Sequence, residues 1–311
     1  MKIVYLDTYP LEGIDLTPVS RLGDFTGYPD TAPDQVVARA VDAEVVLVNK
    51  VRLFKPELDR LPKLKLICVT ATGTNNIDTD YAASKGIAVK NVPAYSTESV
   101  AEGTLAMVLA LLRNIVWYDR YVKDGDYSRS GRAFNTDRSV REIRGRNWGI
   151  IGMGAIGKRV AELAAAFGAA VSYHSTSGHN LSAGYPHKTL EALLADSDIV
   201  TIHAPLNPQT ENLITYDRLR LMKPTAILAN MGRGKIVDES DLARALNEDI
   251  IAGAGLDVYA QEPPSADNPL LALRDENKVV LTPHGGWASE EARKTLVAKV
   301  AENIETFYNI D

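Results

Sequence analysis

The sequence predicts an α/β protein built from two doubly wound parallel sheets. Three observations predict it. Short apolar runs alternate with helical stretches along nearly the whole chain, a glycine-rich turn lies mid-chain between a strand-like run and a helix, and an amphipathic helix closes the sequence. At 311 residues the chain is long enough for two domains. Its 45 % hydrophobic and 24 % charged content is that of an ordinary globular protein. A net charge of −6 without a long basic block argues against nucleic acid as the main partner. No apolar run reaches membrane-spanning length, and the chain opens on the strand-like Lys2–Leu6 rather than a signal peptide. The expectation is a cytoplasmic protein with no membrane partner. The single cysteine, Cys68, sits in an apolar run, which fits a reducing compartment and offers no disulfide framework.

Taken in order, residues 1–98 give strands at 3–6, 44–48, 64–70 and 87–90, with helices at 32–41 and 56–61. A parallel sheet of this kind places ligands beyond the carboxyl ends of its strands. The first loop there is ATGTNNID, residues 71–78. Thr72, Gly73 and Thr74 can turn several backbone N–H groups toward one point, an anion-binding nest. A tight turn capped by Asn75 and Asp78 explains the same residues equally well. From Ser96 a long apolar helix follows, with Val100, Leu105, Val108, Leu109 and Leu112 near one face. The aromatic run 117–127 and the Arg-rich 128–146 then read as an excursion outside either sheet. Exposed Trp117, Tyr118 and Tyr121 there predict a subunit contact, with local packing as the alternative.

The glycine turn comes next. Trp148–Ile151 is a buried strand, Gly152, Gly154 and Gly157 follow, and Lys158–Phe167 carries apolar residues at helical spacing. That context gives a G-x-G-x-x-G match its meaning. Gly152 makes the tight turn, Gly154 lets the backbone approach a pyrophosphate, and Gly157 lets helix and strand pack closely. The N–H groups at the helix start, around Ala155 and Ile156, face the phosphates. Further strands at 170–173, 198–203, 225–230, 251–258 and 278–282 complete a six-stranded dinucleotide-binding plan. Its second strand usually ends in an acid that holds the adenosine ribose. Here His174 stands 22 residues after Gly152, followed by Ser175 and Thr176. The repulsion that excludes a 2′-phosphate is gone, yet no Arg is near to bind one. NAD and NADP both remain open.

Three later strand ends carry chemistry. Arg233 lies among glycines in Asn230–Gly234, Asp257 precedes Glu262, and Thr282–Gly286 presents His284 on a turn with little side chain around it. Arg can bind a carboxylate and polarise a carbonyl, while His exchanges a proton with the oxygen as hydride moves. A carboxylate beside the His stabilises its protonated form. Each residue alone has a plain structural explanation; the set is harder to explain that way.

The segments ATGTNNID, NVPAYSTESVAE, WGIIGMGAIGK, HAPLNPQT, NMGRGKIVDE, GAGLDVYAQEP and LTPHGGWAS, in that order, resemble the D-isomer-specific 2-hydroxyacid dehydrogenases along nearly the whole chain. The texture is most similar to members that act as glycerate dehydrogenase or hydroxypyruvate reductase. The resemblance implies a Rossmann cofactor domain, residues 99–284, inserted into a flavodoxin-like substrate domain, residues 1–98 plus 285–311. It implies an active site between the two and a homodimer. It implies reversible reduction of a small 2-keto acid to the D-2-hydroxy acid by NAD(P)H, with no metal. Lactate- or phosphoglycerate-type activity and an NAD(H)-sensing corepressor-like role are the alternatives. By motif, Arg233 binds the substrate carboxylate and carbonyl, His284 is the acid/base, and Glu262 supports its proton. Thr72, Gly73 and Thr74 match the loop that holds the carboxylate. Asp257 matches the residue that meets the nicotinamide carboxamide, and Thr104 one that lines the cofactor cleft. His203, Ala204 and Pro205 match the segment beneath the cofactor, with Asn230, Gly232 and Gly286 in the neighbouring turns.

Overall fold

The computed structural model describes residues 1–181 and 184–310. It divides into two units, Met1–Ser96 with Ala288–Asp311, and Thr97–Trp287.

The first unit holds five parallel strands in the order β2-β1-β3-β4-β5. They are β1 (Lys2–Tyr5), β2 (Asp24–Gly27), β3 (Val45–Val48), β4 (Leu66–Val69) and β5 (Ala88–Lys90). The residues of β3 and β4 are all buried, as the near-continuous apolar runs VVLV and LICV require in a sheet covered on both faces. Strand β2 is the one the sequence does not announce. It is an edge strand, DFTG, with one large apolar residue and no buried position, so it forms by pairing with β1 rather than by its own pattern. The helix Glu290–Tyr308 returns to pack on β4 and on the helix Thr17–Ser20. Leu296, Val297, Val300 and Ile304 are its buried face, and Ser289 caps its start by accepting the N–H of Ala292. Cys68 is fully buried in β4, and burial pushes its thiol up to about 12, so it stays protonated.

The second unit holds six parallel strands in the order β11-β10-β9-β8-β6-β7. These are β6 (Asn147–Ile151), β7 (Ala170–His174), β8 (Ile199–Ile202), β9 (Ile227–Asn230), β10 (Gly253–Leu256) and β11 (Val279–Leu281). The chain runs from β6 outward to β7 and then returns to β8 on the other side of β6. That makes the end of β6 the switch point where such sheets take ligands. The helix Thr97–Arg113 packs against the helix Ala155–Ala166 and against β9 and β10, burying Val100, Met107, Val108 and Leu112. No single helix among the described residues is long and apolar enough to cross a membrane.

The excursion that precedes β6 forms the helices Ile115–Lys123 and Asp126–Ser130. Trp117, Tyr118 and Tyr121 are half-buried rather than exposed, which corrects the expectation from sequence. Trp117 stacks on Tyr121 with centroids 5.1 Å apart, Arg138 lies over the Trp117 ring, and the Tyr118 hydroxyl donates to the Arg138 carbonyl at 3.1 Å. The open apolar surface belongs to other residues: Ile115, Val116, Val122 and, most of all, Phe134 at 79 % exposure.

Candidate active site

Strands β9, β10 and β11 lie side by side and end in register, Leu256 pairing with Asn230 on one side and Leu281 on the other. Arg233, Asp257 and His284 therefore leave the same edge of the sheet, although they are far apart in sequence.

His284 sits in a turn with φ +52°, the left-handed region that non-glycine residues rarely occupy. Such backbone persists only where its surroundings over-determine it. Here Asp257, only 4 % exposed, supplies the constraint. Its Oδ1 accepts the Gly285 N–H at 2.8 Å and the Thr282 hydroxyl at 2.6 Å, and its Oδ2 accepts the Gly286 N–H at 2.9 Å. A Cβ on Gly286 would lie 2.9 Å from that same Oδ2, so the carboxylate reaches the turn only because residue 286 has no side chain.

His284 Nδ1 pairs with Glu262 Oε2 at 2.7 Å, with the two side chains 27 % and 31 % exposed. The carboxylate can only accept, so Nδ1 carries the proton and Nε2 is the nitrogen left for a ligand. Glu262 is itself oriented, because its Oε1 accepts the Tyr259 N–H at 3.1 Å. Tyr259 joins the parts. Its hydroxyl donates to the Thr282 carbonyl at 3.0 Å, and its backbone packs so closely on Gly234 that a Cβ there would lie 1.8 Å from the Tyr259 carbonyl carbon. Burial, with the Asp257, Glu239 and Glu262 carboxylates, pushes that hydroxyl up to about 12, so it keeps the proton that it donates.

Arg233 is half-buried on the turn after β9. Asn230, wholly buried, folds this turn: its Nδ2 donates to the Arg233 carbonyl at 2.9 Å and its Oδ1 accepts the Gly232 N–H at 3.1 Å. Asn230 thus shapes the turn and shows no surface to a ligand. The Arg233 guanidinium spends one N–H on the Gly232 carbonyl at 2.8 Å and makes no ion pair among the described residues. Its remaining donors suit a carboxylate.

The glycine turn after β6 passes the test for a dinucleotide. Gly152 has φ +93°, and a Cβ on it would lie 2.8 Å from the Ala204 nitrogen; a Cβ on Gly157 would lie 2.1 Å from the Gly152 carbonyl oxygen. Those two glycines are demanded by the protein's own packing. At Gly154 a Cβ would meet nothing within 4 Å, so that position opens onto space a phosphate can use. The helix Ala155–Ala166 starts there with no side-chain cap and no acid in its first turn, leaving the N–H groups at Ala155, Ile156 and Gly157 for an anion.

His203, just past β8, points the same way. His203 is half-buried as a residue, but both its ring nitrogens are shielded from solvent and have no partner among the described residues. An orphaned pair of this kind is costly unless a ligand completes it. Burial pushes the imidazole from 6.5 down to about 3, so it is neutral in the folded protein. The unfolded chain takes up a proton near 6.5 that the folded chain refuses until about 3. Stability is therefore lost as pH falls through that window. Melting curves of the free protein should show His203→Asn losing less stability than wild type between these pH values. Parallel curves would mean the ring is not held neutral.

At the end of β7, His174 Nδ1 donates to the Lys188 carbonyl at 3.1 Å while its ring lies nearly parallel to His187. Ser175 is buried with its Oγ accepting the Gly178 N–H, and Thr176 is half-exposed. Ala204 is buried between the Gly152 and Gly232 turns and Pro205 is exposed. Thr104 is wholly buried, its hydroxyl donating to the Val100 carbonyl at 2.7 Å, so the structure does not bring it to the site surface.

In the first unit, the N–H groups of Thr72, Gly73 and Thr74 find no acceptor among the described residues. The loop is held by its other groups. Thr72 Oγ1 donates to the Val92 carbonyl, Asn91 donates to the Thr72 carbonyl, and Asn76 donates to the Val51 carbonyl at 2.9 Å. Asp7, at the end of β1, fixes that neighbouring loop by accepting the N–H groups of Asn49, Lys50 and Val51. Asp78 caps the helix Thr79–Ser84, whereas the loop-tying residue is Asn76 rather than Asn75. Sequence reasoning passed over Ser99, Thr282 and Tyr259, although all three lie inside the segments that carry the resemblance.

Residues 105–286 match the family described as D-isomer specific 2-hydroxyacid dehydrogenase, NAD binding domain. The glycerate dehydrogenase of Methylorubrum extorquens is 38 % identical, covering 98 % of this chain and 96 % of that protein. The hydroxypyruvate reductase of Blautia hydrogenotrophica is 34 % identical, covering 99 % of this chain and 97 % of its own. Among solved structures, the NADPH-dependent glyoxylate/hydroxypyruvate reductase of Sinorhizobium meliloti, in complex with NADP and malonate, is 28 % identical. It superposes with a TM-score of 0.83 over 99 % of this chain and 94 % of that one.

Proposed function

The chain belongs to the D-isomer-specific 2-hydroxyacid dehydrogenase family, and we propose that it reversibly reduces a small 2-keto acid of the hydroxypyruvate or glyoxylate type to the D-2-hydroxy acid. The observation that carries this reading is the His284–Glu262 pair at 2.7 Å, on a left-handed turn clamped by Asp257 and sharing a sheet edge with Arg233. A bound nicotinamide cofactor supplies or accepts the hydride. Gly152–Gly157 and His203 to Pro205 are the residues suited to hold it, with Asn230 shaping the neighbouring turn through Gly232 and Asp257 Oδ2 able to meet the carboxamide beside the Gly286 N–H. Thr104, buried, supports that region by packing.

The chain's own groups perform the rest. Arg233 binds the substrate carboxylate and carbonyl oxygen through its planar fork. In the first unit, the open N–H groups of Thr72, Gly73 and Thr74 are suited to a carboxylate. In reduction, His284 donates the proton on Nε2 to the oxygen that becomes the hydroxyl. Glu262 holds Nδ1–H throughout and pairs with the imidazolium. In oxidation, Nε2 takes the proton back.

Both NADH and NADPH are proposed to serve. Support comes from His174, Ser175 and Thr176 in place of an acid, and from the NADPH dependence of the Sinorhizobium meliloti relative. Following reduced nicotinamide consumption with hydroxypyruvate, glyoxylate and pyruvate tests the function and the cofactor together. No turnover with any of the three would sink the function. A preference for NADH beyond about a thousandfold, roughly 4 kcal/mol, would sink the cofactor reading. His174→Asp should move the balance toward NADH.

The chain is also proposed to work as a homodimer in the cytoplasm. The helix Ile115–Lys123 has no buried residue, and Phe134 beyond it stands open, an apolar surface that a second copy would cover. The mass in solution by light scattering should be twice that of the chain; a single-chain mass at micromolar concentration would refute it.

A further inference from the structure

We propose that Ser99 is a positioning residue for proton transfer at His284, acting through the backbone of the turn. The proposal rests on the reading of His284 as the acid/base. Ser99 lies near the start of the helix Thr97–Arg113, and its hydroxyl donates to the Gly286 carbonyl at 2.6 Å, on the short side of the usual range. Gly286 is two residues beyond His284.

The other constraints on that turn leave a gap that Ser99 fills. Asp257 takes the N–H groups of Gly285 and Gly286 and the hydroxyl of Thr282, so it fixes amides and one side chain. It cannot fix a carbonyl, because a carboxylate only accepts. The peptide after Gly286 is thus anchored at its oxygen by Ser99. The same helix seats the turn one step further along. A Cβ on Gly103 would touch the Gly286 Cα at 3.8 Å and Met231 Cε at 3.7 Å, ordinary contact distances that show the two surfaces meet there. His284 holds a conformation its residue type disfavours, with φ +52°, so its imidazole direction depends on these anchors. Glu262 steers the ring from Nδ1, but a ring on a shifted backbone aims Nε2 elsewhere.

Ser99 belongs to no hydride- or proton-carrying group, and its effect should appear in the proton-transfer step. The test compares wild type, Ser99→Ala and Ser99→Thr as full-length enzymes with saturating NADH and hydroxypyruvate. It measures kcat, KM, the solvent deuterium isotope effect on kcat, NADH affinity by fluorescence in the absence of keto acid, and Tm. Ser99→Ala should lower kcat about three- to tenfold, the worth of one neutral hydrogen bond. The isotope effect should rise, while NADH affinity and Tm stay near wild type. Ser99→Thr, which keeps the hydroxyl, should restore kcat and the isotope effect. The proposal is overturned if Ser99→Ala turns over like wild type. It is equally overturned if kcat and NADH affinity fall together and Ser99→Thr restores neither. His284→Gln, measured alongside, separates the two ideas. A collapse in that variant with a wild-type Ser99→Ala defeats the positioning role alone, whereas an active His284→Gln defeats the acid/base reading on which it rests.

Discussion

Glutamine in place of His284 lowers kcat by about 10²–10⁴ in both directions, the range that a positioned general acid–base group contributes. The loss should leave NADH binding intact, because His284 and Glu262 pair with each other and neither shapes the glycine turn after β6. Asparagine at 284 is the companion variant, since among non-glycine residues it tolerates the left-handed backbone well and so separates lost chemistry from a collapsed turn. The pH profile gives the sign. Reduction needs the proton on Nε2, so the wild-type rate falls as pH rises; oxidation needs Nε2 empty, so that rate falls as pH drops. Glu262→Gln keeps an acceptor beside Nδ1 but removes the charge that pairs with the imidazolium, so kcat for reduction should fall while NADH binding stays near wild type. A folded, NADH-binding His284→Gln enzyme within a few fold of the wild-type rate would end the assignment.

Arg233→Gln should cost about 10²–10⁴ in kcat/KM, through KM and kcat together. Two charge-assisted hydrogen bonds to a carboxylate and a carbonyl contribute roughly 1.5–3 kcal/mol each, which sets that scale. Lysine should recover only part of it, because an ammonium cannot reproduce the planar fork. Stability should change little. The guanidinium makes no ion pair among the described residues and bonds only to the Gly232 carbonyl, so removing it strands no buried acid. Less than a tenfold loss in kcat/KM for Arg233→Gln, with Tm unchanged, would remove Arg233 from the substrate site.

The sheet of the second unit is easy to read from sequence for a physical reason. Its inner strands are buried on both faces, so runs such as NWGII, IVTI and ILAN stand out against the helices between them. Strand β2 does not stand out, since an edge strand borrows its order from a neighbour. In the site, the residue types that can do acid–base and carboxylate chemistry are visible as letters, but their partnerships are not. Nothing in the letters says that Glu262 meets His284, or that Asp257 spends both oxygens on the turn that carries it. Thr104 shows the opposite limit. Its motif is legible, whereas its full burial within the helix Thr97–Arg113 follows only from how that helix faces the sheet. The aromatic run behaves likewise: Trp117 and Tyr121 find each other locally, and the open surface passes to residues that sequence reasoning left aside.

The bond between Ser99 and Gly286 has an evolutionary consequence as well as a chemical one. The second unit begins at Thr97 and ends at Trp287, so this contact joins its first turn to its last loop. A module whose two ends meet can be spliced into a host loop without stretching it, and closing such a short gap costs the host little chain entropy. The nucleotide-binding cassette is in that sense transplantable. Such a module and its host need to agree only where the chain crosses between them, at Ser96–Thr97 and at Trp287–Ala288.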